Sequence, residues 1–127
     1  MENQIAKIVM EAITAEVANA IQVRLTAVDD VGNIVRTPFR SRVKVANQND
    51  YDGTATNATL GIVSGSSTID WAHTANKDIT FKSATDDGYM DVVVTDTSVE
   101  SVTVYQGEPS FGGAGANVWE SLELAFA

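Results

Sequence analysis

The residues of this chain that could carry out chemistry are few, and their spacing matches no catalytic motif. The one histidine, His73, has no second His or Cys at ligand spacing, and the chain contains no cysteine. The serines of GIVSGS (residues 61–66) do not form the G-x-S-x-G nucleophile elbow, which also needs a strand followed by a helix. We therefore predict a protein that is not an enzyme and has no catalytic residue.

The chain also contains aspartates that could bind a metal ion and a glycine-rich segment that could bind a phosphate group. The four aspartates between residues 86 and 96 could meet at one end of a sheet and hold Ca²⁺. The segment QNDYDG (residues 48–53) is the nearest approach to a calcium loop, but Thr59 stands where the bidentate Glu is required. The glycine-rich segment 107–115 lacks the Lys-Ser/Thr pair of a phosphate-binding loop. We interpret these residues as turns and strand-face carboxylates, and predict no metal and no cofactor.

A row of alternating cations in RTPFRSRVKV (residues 36–45) is the clearest chemical pattern. Arg40, Arg42 and Lys44 share one face of a predicted strand, so their side chains emerge roughly 6.5 Å apart. With Arg36 they make up half of the 8 Lys and Arg residues. Three interpretations remain open: a solvated face paired with neighbouring acids, a docking surface for an acidic partner such as a second copy, or an anion-binding groove.

Length and charge limit the classes of function. At 127 residues the chain is long enough for one domain with its own core. Its net charge of −9, from 17 acidic and 8 basic residues, repels nucleic acid and anionic membranes, so we predict neither as a partner. No basic segment followed by an apolar core marks a secretory signal at the N-terminus. With the start at Met1, this leads us to expect a protein made and used without export.

Residues 1–20 are predicted to form an N-terminal arm, separate from a domain at residues 21–127. The apolar residues of this arm recur at helical spacing, and its Ala and Glu content favours a helix. An extended arm is the alternative, and ITAEVANAIQVRL (residues 13–25) could be mostly strand. The arm could lie on its own domain, dock on a partner or symmetry mate, or form a coiled coil. Its candidate contact residues are Ile5, Ile8, Val9 and Ile13.

From Ile21 onward the hydrophobic period changes to two residues. Apolar and polar residues alternate in short segments, and Asp-Gly and Asn-rich turn signals separate them about every 8 to 12 residues. This pattern predicts an all-β chain folded as an antiparallel β-sandwich, immunoglobulin-like in plan, with a jelly roll or small barrel as alternatives. The principal predicted strands are 21–27, 36–45, 79–81, 89–95, 101–105 and 118–126.

Three stretches together carry a resemblance to a known family. They are AEVANAIQVRLTAVDDVGNIVRTPFRSRVKV, ITFKSATDDGYMDVVVTDTSVESVTVY and the ending SLELAFA. In this order they resemble the small Ig-like virion proteins of tailed bacteriophages, of the head-decoration or head-fibre type. They are similar, more distantly, to the Ig-like repeats of invasin-type adhesins. The resemblance covers roughly residues 15 to 127 and brings no catalytic residues.

This resemblance implies a virion structural protein made in the host cytoplasm and located on the capsid surface. Its expected partners are the major capsid protein, further copies of itself, or both, in a homo-oligomer or larger symmetric assembly. The N-terminal arm and the segment from Arg36 to Lys44 are the expected contacts. The alternative is a carbohydrate- or receptor-binding module of a phage tail or adhesin, with a ligand at loops 47–57 or 107–115 and Phe111 exposed in the second.

Overall fold

The computed structural model describes residues 5–47, 57–107 and 118–127, and every regular element in these ranges is a β-strand. The alternation of apolar and polar residues accounts for this result, because it gives each strand one face to bury and one face for solvent. The nine strands of the described ranges are β1 (Lys7–Ala12), β2 (Ala20–Val28), β3 (Arg40–Asn47), β4 (Thr59–Ile62), β5 (Ser67–Thr74), β6 (Asp78–Ser83), β7 (Tyr89–Thr95), β8 (Glu100–Gly107) and β9 (Val118–Phe126).

The strands form two antiparallel sheets. The first has four strands in the order β1-β2-β7-β4, and the second has five in the order β5-β6-β3-β8-β9. Every strand pairing is antiparallel. The prediction of an all-β antiparallel sandwich is therefore confirmed.

The core lies between the two sheets and is built from the inward members of each alternating strand. The first sheet contributes Ile21, Val23 and Leu25 of β2, which are buried. The second sheet contributes Val43 of β3 and Phe81 of β6, and among the described residues Phe81 is the largest fully buried side chain. Because one residue in two points inward, the residues between them remain on the outer faces and are available for contacts.

Residues 5–20 contain no helix, so the helical alternative for the N-terminal arm was wrong. Residues 7–12 form an edge strand whose six residues pair with β2, from Lys7 opposite Val28 to Ala12 opposite Val23. Ile8 and Met10 point into the core, and Ile8 is 1% exposed. The backbone of β2 offers this segment a ladder of hydrogen bonds as well as an apolar face, and this tertiary gain outweighs the local preference for a helix.

Asp86-Asp87-Gly88 is one of the Asp-Gly turn signals of the sequence, and in the structure it joins the two sheets. It follows β6 of the five-stranded sheet and precedes β7 of the four-stranded sheet. Gly88 has a φ of +87°, which is the left-handed region that glycine adopts without strain. This crossing places the start of β7 against the turn between β4 and β5, where a cleft forms.

Candidate functional site

The predicted row of cations lies on the outer side of the five-stranded sheet. Val43 and Val45 of β3 point into the core, so Arg40, Arg42 and Lys44 point outward. Lys82 of β6 lies opposite Arg40 in the register and adds a fourth cation. The outer side of β3, β5 and β6 is called the cationic face below.

Two acidic residues of the same strands pair with these cations. Arg42 holds Asp78 through two hydrogen bonds, Nε to Oδ1 at 2.8 Å and Nη2 to Oδ2 at 2.7 Å, and the two side chains are only 12% and 9% exposed. Arg40 reaches Asp70 at 3.1 Å, with exposed fractions of 54% and 38%. The first pair is a bidentate contact sheltered from water, whereas the second lies in solvent and contributes at most about 1 kcal/mol. The interpretation of cations paired with neighbouring acids therefore applies to Arg40 and Arg42.

His73 of β5 adds a polar group without adding charge. Its Nε2 lies 2.9 Å from Oγ1 of the buried Thr80. Burial lowers the pKa of His73 from its ordinary value of 6.5, the charge of Arg42 lowers it further, and Asp78 acts in the opposite direction. The imidazole is therefore neutral at pH 7.

Trp71 places a large apolar surface on the cationic face. It lies opposite Thr80 in the β5–β6 register, and Thr80 lies opposite Arg42 in the β6–β3 register, so the three form a row across the sheet. Trp71 is 64% exposed. A tryptophan exposed to this extent on a regular strand leaves apolar area in water that a partner could cover.

The charge of this face is opposite to that of the chain. Together β3, β5 and β6 carry four cations and two carboxylates, so they are net positive in a chain of net charge −9. The excess of acidic residues therefore lies elsewhere. Such a separation of charge favours attraction between the cationic face and negatively charged groups.

The other predicted contact residues do not join this face. Ile8 is buried in the core of the sandwich and has no surface to offer, which corrects its assignment as a contact residue. Ile5, Val9 and Ile13 are half-buried at the β1 edge of the other sheet, and Ile5 packs against the core. Arg36 is exposed in the connection from β2 to β3. The predicted contact Phe111, the segment 108–115 around it and residues 48–56 lie outside the described residues.

A second candidate site lies on the outer side of the four-stranded sheet. Arg24 of β2 and Asp91 of β7 are directly opposite each other in the register. Their side chains make two hydrogen bonds, Nε to Oδ1 at 2.9 Å and Nη2 to Oδ2 at 3.2 Å. The guanidinium carbon also lies 4.2 Å from the centre of the Tyr89 ring, a cation–π contact. The bond to Asp91 raises the pKa of Arg24 above its ordinary value.

The turn between β4 and β5 closes one side of this second site. Ser66 Oγ accepts a hydrogen bond from the backbone N–H of Asp91 at 2.8 Å, and Ser67 Oγ donates one to the Asp91 carbonyl at 2.6 Å. Between this turn and the strands is a cavity of about 250 Å³, which is called the polar cleft below. Its lining residues are Arg24, Ser64, Gly65, Ser66, Thr85, Asp87, Tyr89 and Asp91.

Sequence reasoning did not find the polar cleft. Arg24 falls on the polar side of the alternating strand 21–27, but its partner Asp91 is 67 residues away and becomes its neighbour only through the pairing of β2 with β7. One signal was available. If these two strands are paired antiparallel, the only cation of β2 and the only carboxylate of β7 can be brought opposite each other.

The four aspartates considered for calcium do not come together. Asp91 binds Arg24, whereas Asp96 lies beyond the other end of β7 and accepts a hydrogen bond from the Ser98 N–H at 2.8 Å. Among the described residues, no three His, Cys, Asp or Glu side chains are grouped so that they could hold a metal ion.

No helix in the described ranges has the length and apolar character needed to cross a membrane. Comparison of the chain with protein-family models, with curated proteins and with solved structures gives no match.

Proposed function

We propose that this chain is a structural protein of a bacteriophage virion, a capsid decoration or head-fibre subunit that acts through protein–protein contacts. The observation that carries the proposal is Trp71, which is 64% exposed on β5, the edge strand of the cationic face. Tryptophan and arginine are enriched at protein interfaces, where a few such residues supply most of the binding energy. The cationic face combines this aromatic residue with Arg40 and Arg42.

The partner surface is acidic. Net positive charge on β3, β5 and β6 attracts a carboxylate-rich surface and disfavours another cationic one. The apolar area of Trp71 then stabilises the complex once the two surfaces meet. A capsid protein with an acidic outer surface fits this description, and so does an acidic region of a second copy of this chain.

The arrangement of strands supports the Ig-like part of the proposal. In variable-type Ig domains one sheet has the order A-B-E-D, and C′ and C″ extend the sheet formed by C, F and G. The sheets β1-β2-β7-β4 and β5-β6-β3-β8-β9 have the same numbers of strands, with β2 and β7 in the places of B and E. The chain order differs between β3 and β7. There β4, in the place of D, comes first and is followed by β5 and β6, in the places of C″ and C′, so these three strands occur in the reverse of the order C′, C″, D.

Co-sedimentation with phage heads tests the proposal. Heads would be prepared from the encoding phage with this gene deleted, and mixed with the purified full-length chain. We expect saturable binding that weakens as salt is raised, because the charges of the cationic face are screened. The variant Trp71→Ser should bind at least about tenfold more weakly while its unfolding transition stays unchanged, since the side chain is exposed.

Val99→Ser is the matched control, because Val99 is also an exposed apolar residue but lies outside the cationic face. It should bind like the unchanged chain. Absence of binding to heads would overturn the virion proposal. Binding that survives Trp71→Ser would show that the cationic face is not the contact.

A further inference from the structure

We propose that the polar cleft binds a neutral, hydroxyl-rich ligand of monosaccharide size. The cleft lies on the four-stranded sheet, whereas Trp71 and the cations lie on the five-stranded sheet. The inference therefore does not rest on the proposed function, and either one can fail without the other. It assigns a chemical class of ligand to a cavity of about 250 Å³.

The charges of the cleft favour a neutral ligand. Arg24 is the only cation in its lining, and both oxygens of Asp91 already compensate it. Asp87 adds a second, exposed carboxylate to the same wall. An anion would meet this uncompensated carboxylate in a chain of net charge −9. A cation would meet the guanidinium of Arg24, which also occupies a face of the Tyr89 ring.

The hydrogen-bonding groups of the cleft suit hydroxyl groups, which donate and accept at the same atom. Arg24 uses Nε and one Nη2 hydrogen for Asp91, so its Nη1 hydrogens can be donated to a ligand. Ser66 Oγ accepts from the Asp91 N–H and retains its own hydrogen to donate. Asp87 accepts from Thr85 through Oδ2, which leaves Oδ1 as an acceptor. The lining of one small cleft therefore offers both hydrogen-bond donors and hydrogen-bond acceptors.

The cleft is organised before any ligand arrives. Asp91 is fixed through its carboxylate by Arg24 and through its backbone by Ser66 and Ser67. Gly65, one of the lining residues, has a φ of +82°, and a Cβ at this position would have no atom within 4 Å. The glycine thus leaves an opening beside side chains that are held in place. Groups held in this way lose little conformational entropy on binding, so a small ligand gains affinity.

NMR titration of the ¹⁵N-labelled full chain tests the inference. The probes are the methyl glycosides of glucose, galactose, mannose and N-acetylglucosamine, each added alone. We expect at least one of them to produce saturable shifts of the backbone amides at residues 64–66 and 87–91. Arg24→Lys keeps the charge but loses the planar fork, so it should weaken this binding by about tenfold or more.

A second variant is needed because Arg24→Lys could reduce binding by disturbing the structure around Arg24. Gly65→Asn adds a side chain to the lining of the cleft, and asparagine tolerates the left-handed backbone there, so the Arg24–Asp91 pair stays intact. It should also reduce binding, whereas Arg40→Lys on the other sheet should not. The inference is overturned if no glycoside gives saturable shifts, or if both cleft variants bind normally. It is also overturned if inorganic phosphate or calcium chloride, and not the sugars, produces the cleft shifts.

Discussion

Gly88 occupies a position where the backbone and its surroundings both require glycine. Its φ is +87°, and a Cβ there would lie 2.5 Å from Ile34 Cγ2 and 2.6 Å from the carbonyl oxygen of Val35. The turn also bonds to the end of β2, because the Gly88 carbonyl accepts a hydrogen bond from the Ala27 N–H at 2.8 Å. The dipeptide Asp87-Gly88 was recognised from sequence as a turn, but its packing against the segment around Ile34 was not.

Substitution of Gly88 should therefore cost more stability than the backbone conformation alone explains. We expect Gly88→Ala to lower the free energy of unfolding by about 3 kcal/mol or more, since the new methyl group meets the Val35 backbone as well as an unfavourable φ. Gly65→Ala is the control, because its φ is similar but its surroundings are open, and it should cost only about 1 kcal/mol. Urea unfolding of both variants measures the difference. Equal losses would mean that the contact with Val35 relaxes freely.

The site residues show what sequence could predict at this scale. The outward direction of Arg40, Arg42 and Lys44 follows from alternation within one strand, so it could be read directly. The identity of their partners could not, because Asp70 and Asp78 come from other strands and their positions depend on the register of β5 and β6 against β3. The pairing of Arg24 with Asp91 could not be predicted for the same reason, because it depends on the register of β2 against β7.

At the scale of elements, strands with strict alternation were predicted well and the first strand was not. β2, β3, β7 and β8 each have an unbroken period of two over their inward residues. In residues 5–13 the apolar positions fit a helical spacing as well, and Ala and Glu add local helix preference. The unpaired edge of β2 decided between the two conformations, and an isolated segment carries no information about that edge.

The place of β1 in the sheet can be tested with two neighbouring residues. Ile8→Ala should lower the free energy of unfolding by about 2–4 kcal/mol, because Ile8 is buried in the core and the substitution leaves a cavity. Val9→Ala is the control, since Val9 lies on the outer side and is half-buried, and it should cost less than about 1 kcal/mol. Both are measured by urea unfolding. If neither variant changes stability, residues 7–12 do not pack on the sandwich in solution.

At the scale of the whole molecule, stability is concentrated in the middle of each sheet. β2 and β7 are bonded on both sides in the first sheet, as are β6, β3 and β8 in the second. Buried valines recur along these strands, whereas β4 is a four-residue edge strand with Ile62 exposed. The molecule should therefore open locally at β4 before it unfolds globally.

Amide hydrogen exchange under native conditions measures this distribution. We expect the slowest amides at buried positions of the central strands, such as Val23, Val45, Val92 and Val104, with protection close to the global free energy of unfolding. Amides of β4 should exchange by smaller openings that depend little on denaturant. Protection in β4 equal to that in β7 would contradict this picture and would indicate a single cooperative unit.

The two register shifts in β5, between Ile69 and Trp71 and between Ala72 and Thr74, have a consequence for how copies of the chain can meet. An eight-residue edge strand with exposed apolar residues is a ready template for another strand, and repeated pairing of that kind leads to fibres. Each shift breaks the regular spacing of N–H and C=O groups along the free edge. The strand can thus present Trp71 to a partner through its face, while its edge is poorly suited to open-ended polymerisation.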